Sequence, residues 1–247
     1  MLTGKWKRRL YGLHRWIGLI VALQLLLWSV GGFIFNILDI DMVRGHNERR
    51  EQAPAAIGAT NAIVGPSTVL AALRNSGEQG EVHAMHLRVQ GERLLYEVRR
   101  DGKVFARFDA QSVEQLPIIT LEEARAVARA DFLPEADILS AELLQGDPPT
   151  EIRGREMPVY RVVFDHPRAT HIYISPTSGE VIARRNAPWR LFDFFWMLHT
   201  MDYRGRDDFN HGLLTFFSLL AVVTSLSGIL LWGIRLPRLW RRRRGAA

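Results

Sequence analysis

Histidine is the residue type in this chain whose placement could do chemistry. Three of its eight copies, His14, His199 and His211, lie in or beside long apolar runs. An ionisable group at such a place is costly and therefore a functional candidate. Neutral imidazole is the usual axial ligand of b-type haem, and a neighbouring glycine leaves room for a flat macrocycle. Gly18 follows His14 by one helical turn, and Gly212 follows His211 directly. Each histidine also has a plain structural reading. His14, next to Arg15, can belong to a basic flank facing lipid, and His211 can hydrogen-bond a loop carbonyl at the membrane interface.

Other constellations are poorer. His83 and His86 are three apart in a strand-like run, so they point to opposite faces and make a weak metal pair. His166 and His171 flank a turn where a weak metal site could form. No Ser-His-Asp order, Gly-x-Ser-x-Gly, phosphate loop or dinucleotide fingerprint occurs, so no hydrolase or nucleotide enzyme is visible. Cysteine is absent, which excludes disulfides, thiolate catalysis, iron–sulfur ligation and covalent c-type haem.

Two elements must position the histidines. Trp16 to Leu38 is a run of 23 residues without a charge. About 20 helical residues span the roughly 30 Å of a bilayer core, so this run reads as a membrane span. Phe209 to Ile234, 26 residues without a formal charge, reads as a second. Residues 1–15 carry Lys5, Lys7, Arg8, Arg9 and Arg15, and residues 235–247 carry Arg235, Arg238 and Arg241 to Arg244, with no acid in either tail. Cytoplasmic flanks are enriched in Lys and Arg, so both termini are expected in the cytoplasm and 39–208 outside it. Removing the tails leaves 21 basic against 26 acidic residues. The basic balance therefore points to anionic lipid, not to nucleic acid, which would want the positive charge on the folded domain.

Small residues predict helix-packing faces: Gly18, Ala22, Ser29 and Gly32 on the first span, and Thr215, Ser218, Ala221, Ser225 and Gly228 on the second. They could pack on each other, on a second copy, or on a partner membrane protein.

Between the spans, 39–65 reads as a connector without strong elements, its charges around His46 solvated. Residues 66–118 and 119–187 then repeat one pattern of a helix followed by three strands. Thr120 with Glu123 forms a capping box at the second helix. The middle strands share Tyr96-Glu97-Val98 and Tyr160-Arg161-Val162, and the last strands run into matching turns, Asp109-Ala-Gln-Ser-Val-Glu and Ser175-Pro-Thr-Ser-Gly-Glu. Residues 188–208, rich in aromatics, read as an interfacial helix or as a helix packed under the outer domain. The expected fold class is an α+β extracytoplasmic domain carried between two transmembrane α-helices, 1–38 and 209–234, with a basic tail at 235–247.

Thr120-Leu-Glu-Glu-Ala-Arg-Ala-Val-Ala, Val159-Tyr-Arg-Val-Val-Phe and Ile174-Ser-Pro-Thr-Ser-Gly-Glu-Val-Ile resemble the PepSY domain. His14-Arg-Trp-Ile-Gly and Ser227-Gly-Ile-Leu-Leu-Trp resemble the PepSY-associated transmembrane family, and the order of span, PepSY region and span is that family's. Two departures stand out: Val113 replaces a turn glycine in the first unit, and Met201 follows Leu198-His199-Thr200 where a glycine is expected. Relatives include iron-regulated membrane proteins and haem-containing ferric-siderophore reductases. The resemblance thus implies a bacterial inner-membrane protein, with 39–208 periplasmic, that carries haem b and serves electron transfer to iron or another metal. The alternative is a non-catalytic anchor whose outer units bind and regulate a partner protein or peptidase. Of the cofactor-binding candidates, His14 lies at the inner membrane face and His211 at the outer, so one chain cannot place both on one haem. His199 and His211 share the outer side, and a homodimer would pair two copies of His14.

Overall fold

The computed structural model describes residues 4–51, 63–77, 80–90 and 93–244, with only the backbone at the outer ends of the first and last helices. The chain divides into two compact units.

The first unit comprises the segment up to Asp39 and the segment from Leu191 onward. Helix α1 (Gly4–Ile37) contains an apolar stretch over Tyr11–Ile37, and helix α6 (Gly212–Arg244) contains one over Gly212–Gly233. Leu19, Leu23, Leu26, Leu219, Leu226 and Ile229 are each more than half exposed. Apolar helices of this length that leave their leucines uncovered require a bilayer. Helix α6 starts three residues later than the uncharged run and continues as helix into the basic tail. Helix α5 (Ala187–Thr200) enters this unit at Leu191.

One stripe of α1 is covered. His14 and Gly18 meet Ser227 and Thr224 of α6. Val21 and Gln24 are buried. Trp28, Gly31 and Phe35 meet His199, Phe195 and Phe192 of α5. Spacings of three and four keep these on one helical face. That face is offset from the small-residue stripe the sequence suggested. Ala22, Ser29 and Gly32 are exposed, as are Thr215, Ser218 and Ser225 on α6, while Gly18, Ala221 and Gly228 are partly covered. Aromatic residues of α5 override the small-residue pattern because they bury more surface.

The second unit, Ile40–Arg190, holds two antiparallel four-stranded sheets with strand orders β1-β2-β3-β4 and β5-β6-β7-β8. The strands are β1 (Ala84–Gln90), β2 (Arg93–Arg100), β3 (Lys103–Asp109), β4 (Gln115–Leu116), β5 (Ile138–Leu144), β6 (Val159–Phe164), β7 (His171–Ile174) and β8 (Val181–Arg185). The fourth strand of each sheet exceeds the three expected. Both are short, and β8 lacks a clean alternation of apolar and polar residues.

Helix α3 (Pro66–Asn75) packs Val69 and Leu73 on Tyr96, Val98 and Phe108 of the first sheet. Helix α4 (Leu121–Asp131) packs Ala124 and Ala128 on Tyr160, Val162 and Ile172 of the second. The Thr120–Glu123 capping box is present in both directions. The two middle-strand tyrosines play one role twice: Tyr96 donates its hydroxyl to the Val64 carbonyl and Tyr160 to the Ile119 carbonyl, each at 2.8 Å and each just before a helix.

The matching turns also agree bond for bond. Val113 donates its N–H to the Asp109 carbonyl, and Gly179 donates to that of Ser175. Val113 has φ 64° and Gly179 φ 70°, so valine occupies a left-handed position that its relative in the second turn fills with glycine.

The connector is more ordered than its composition suggested. It forms α2 (Ile40–Arg44) and a 3-10 turn at His46–Glu48, while residues 52–62 lie outside the described ones. Only part of its charge is solvated: His46 and Asp41 pair at the surface, but Glu48 is 2% exposed. Its carboxylate accepts from Arg168 (3.1 Å) and Thr170 (2.7 Å), and its carbonyl accepts the Leu133 N–H. A lone glutamate among solvated neighbours carries no sequence signal that distinguishes it.

Candidate functional site

The three candidate histidines all fall in the membrane-helix unit, and the structure gives each a different environment. His14 sits on the covered face of α1, with Nδ1 2.8 Å from the Ser227 hydroxyl. Ser227 donates its single proton to the Thr224 carbonyl at 2.8 Å. Its oxygen must therefore accept from His14, which places the imidazole proton on Nδ1 and the lone pair on Nε2. This is the tautomer an Nε2 metal ligand needs, with the serine fixing the ring as an outer partner does. Gly228 lies beside the ring, where an added Cβ would stand 4.0 Å from His14 Cε1.

His199 is at the end of α5, between Trp28 (centroids 6.2 Å apart) and Phe35 (5.9 Å, edge-on). Its carbonyl accepts the Trp28 indole N–H at 2.9 Å, which serves one of the helix-end carbonyls that lack an intrahelical partner. Its Nδ1 is buried without a hydrogen-bond partner. A buried ring nitrogen in that state costs free energy unless a ligand or water meets it. Gln24, one turn of α1 before Trp28, also buries an amide nitrogen without a partner.

His211 is used on both sides of its ring. Its Nε2 contacts the Thr200 carbonyl at 2.8 Å, and its Nδ1 accepts the Leu214 N–H at 3.3 Å. It thus caps the N-terminus of α6 and the C-terminus of α5 together. The structure brings His199 and His211 to neighbouring helix ends. With both nitrogens engaged, His211 as it stands has no lone pair to offer a metal.

The segment between α5 and α6 is held by the Asp202 carboxylate, which accepts the N–H groups of Arg204, Gly205, Asp207 and Asp208. Desolvation is the largest single influence and opposes the charge, but the four bonds together hold the carboxyl below the usual range. Trp196 donates to the Arg206 carbonyl at 2.9 Å, and Arg206 pairs with the buried Asp193. Met201, where a glycine was expected, has φ 56° and is 5% exposed. A buried apolar side chain holds that position in the left-handed region.

Three further histidines contact polar groups of the second unit. His83 accepts the Asp101 N–H at 3.0 Å, and His166 lies 3.9 Å from Glu48. His171 donates from Nδ1 to Glu151 at 3.0 Å. Among the described residues no group of three or more His, Cys, Asp or Glu is arranged to hold a metal ion.

Glu151 is the main charged centre the sequence did not reveal. Its carboxylate accepts from His171, Tyr173 (2.7 Å) and Arg190 (2.5 Å), and its carbonyl accepts from Arg185 (2.6 Å). Burial opposes the charge, yet these donors outweigh it and bring the carboxyl pKa from its ordinary 4.5 to about 2. Burial and the nearby carboxylate together raise the Tyr173 phenol.

Among the described residues His14 and His199 each keep a ring nitrogen that no hydrogen bond uses, and His211 keeps none. His14 has the right tautomer and a glycine neighbour. His199 has an orphaned ring nitrogen in an aromatic setting. Across its length, residues 2–235, the chain matches the family described as PepSY-associated TM region. Among curated proteins and solved structures nothing matches.

Proposed function

Because this chain belongs to the PepSY-associated TM family, we propose that it is a two-pass inner-membrane protein that binds b-type haem and passes electrons toward iron or another metal outside the cytoplasm. In this reading both termini are cytoplasmic and the two helix-plus-sheet units form a tandem PepSY pair in the periplasm. The observation that carries it is the pairing of His14, its lone pair set on Nε2 by Ser227, with His199, its Nδ1 buried and unpartnered. His14 and Trp28, the neighbour of His199, are about four helical turns apart, roughly 21 Å along α1. Two positions at different depths follow, one near each end of the span. His14 and His199 would each hold a haem, and bound haem would supply one-electron chemistry.

Each position offers one histidine per chain, so a second ligand must come from another copy. The exposed small residues Ala22, Ser29 and Gly32 of α1 and Thr215, Ser218 and Ser225 of α6 would let helices of a second chain approach closely. A two-fold axis normal to the membrane would bring equal depths together. His211 then serves as the cap that fixes α5, and with it His199, against α6. Optical spectroscopy of the detergent-purified protein from haem-replete cells tests the proposal. A Soret band that shifts on dithionite reduction is expected, in a particle with the mass of a dimer. Colourless protein refutes it.

A further inference from the structure

The second unit contains a groove of about 1020 Å³ whose chemistry the haem reading does not use. Its lining draws on all four strands of the first sheet, on helix α4 and on β8, an outer strand of the second sheet. Part of its wall is apolar, with Ile118, Val127 and Val181 among the lining residues, and Ile118 is 56% exposed. Five arginines line it against three acids, Glu123, Asp131 and Glu180.

Those acids are already engaged. Asp131 takes Arg184 in a two-pronged pair, Glu180 takes Arg88, and Glu123 closes the capping box at Thr120. Glu97, directly across the strands from Arg107, accepts from Arg88 at 3.1 Å and Arg99 at 2.7 Å. Among the described residues no carboxylate forms an ion pair with Arg49, Arg93 or Arg107, although Glu123 attracts both Arg93 and Arg107 and Asp109 attracts Arg93.

Arg107 is the informative one, because it is 5% exposed. Its guanidinium donates to the Gln90 side-chain oxygen at 3.0 Å and to the Pro117 carbonyl at 2.7 Å, both neutral acceptors. A guanidinium taken out of water is expensive unless an anion compensates it; burial lowers the Arg107 pKa, and the attraction of Glu123 and Glu97 offsets this only in part. Its flat fork suits a carboxylate in particular. The space is far larger than a small anion needs, and β8, an outer strand that lines it, can pair with an added extended chain.

We propose that this groove binds an extended, acidic segment of a partner protein, with one carboxylate on Arg107, Arg93 and Arg49 at the rim, and apolar side chains against Ile118 and Val127. Residues 52–62 of this chain contain no acid and cannot supply that carboxylate.

The test uses the full chain in a non-ionic detergent and a fluorescein-labelled octapeptide of alternating Glu and Val, read by fluorescence anisotropy. A Lys/Val octapeptide is the comparison and free glutamate the competitor. The acidic peptide is expected to bind at least tenfold more tightly than the basic one. Arg107→Gln and Arg93→Gln should each weaken it about tenfold. Arg93 is exposed, so its variant reports even where Arg107→Gln fails to fold. Equal binding of the two peptides, or acidic binding unchanged in Arg93→Gln and Arg49→Gln, overturns the proposal. Full displacement by free glutamate at the same concentration as unlabelled peptide would also overturn it, because a small anion would then suffice.

Discussion

Replacing Glu151 by glutamine should expose how the second unit is held together below its second sheet. The carboxylate joins the 3-10 turn at Thr150–Ile152 to β7 through His171 and Tyr173 and to the start of α5 through Arg190. A pKa brought from 4.5 to about 2 means that the charged form is favoured in the folded state by roughly 3 kcal/mol, at ~1.4 kcal/mol per pH unit. Because the folded value is depressed, this stability is complete above about pH 5 and is lost as pH falls toward 2. Glutamine keeps the shape, loses the charge, and sets an amide donor against the Tyr173 hydroxyl. Urea unfolding of the Ile40–Arg190 unit, with and without Glu151→Gln, measures the effect. The wild type should exceed the variant by about 3 kcal/mol at pH 7. The gap should shrink steadily between pH 5 and 3. A gap that stays constant over that range, or one under about 1 kcal/mol at pH 7, would refute the assignment of Glu151 as the ionised hub.

Two further outcomes follow from the same unit. A fragment of residues 60–186 omits Glu48 and Arg190, so it should be less stable than Ile40–Arg190 by at least ~3 kcal/mol, as expected when a buried ion pair loses one partner; equal urea midpoints would contradict the buried role of Glu48. Gly179→Val should cost about 2 kcal/mol or more, because its φ of 70° is strained for valine and an added Cβ would crowd Gln90 and Ile119. Val113→Gly should be near neutral, within ~1 kcal/mol, since relief of strain offsets lost packing; both changes are read by thermal unfolding of the unit.

Much of the architecture was legible because its signals are local. The spans follow from uncharged runs, the α4 start from Thr120 and Glu123, and the paired tyrosines from a repeated Tyr-x-Val. Val113 and Met201 were visible as departures from expected glycines, and both occupy the left-handed conformation those glycines would have served. Tertiary features were not legible. The covered face of α1 follows the aromatic residues of α5, not the small residues of the span. A period of three and four through Gln24, Trp28, Gly31 and Phe35 would have pointed to it. Glu48, Glu151 and Arg107 are charged residues among many, and only the fold reveals that they are buried. For the histidines, type and placement were readable, but the hydrogen bonds of His14 to Ser227 and of His211 to Thr200 join different helices, and only the His211 cap on Leu214 is local.

Haem per chain, by pyridine haemochrome on folded protein of known mass in detergent, tests the central claim most directly. His14→Ala and His199→Ala should each remove half of the wild-type haem, and the double variant should remove all of it. His211→Ala should keep the haem while losing about 1 kcal/mol of stability, the usual worth of a helix cap. Wild-type protein without haem, full haem retained in both single variants, or haem lost only in His211→Ala would contradict the account.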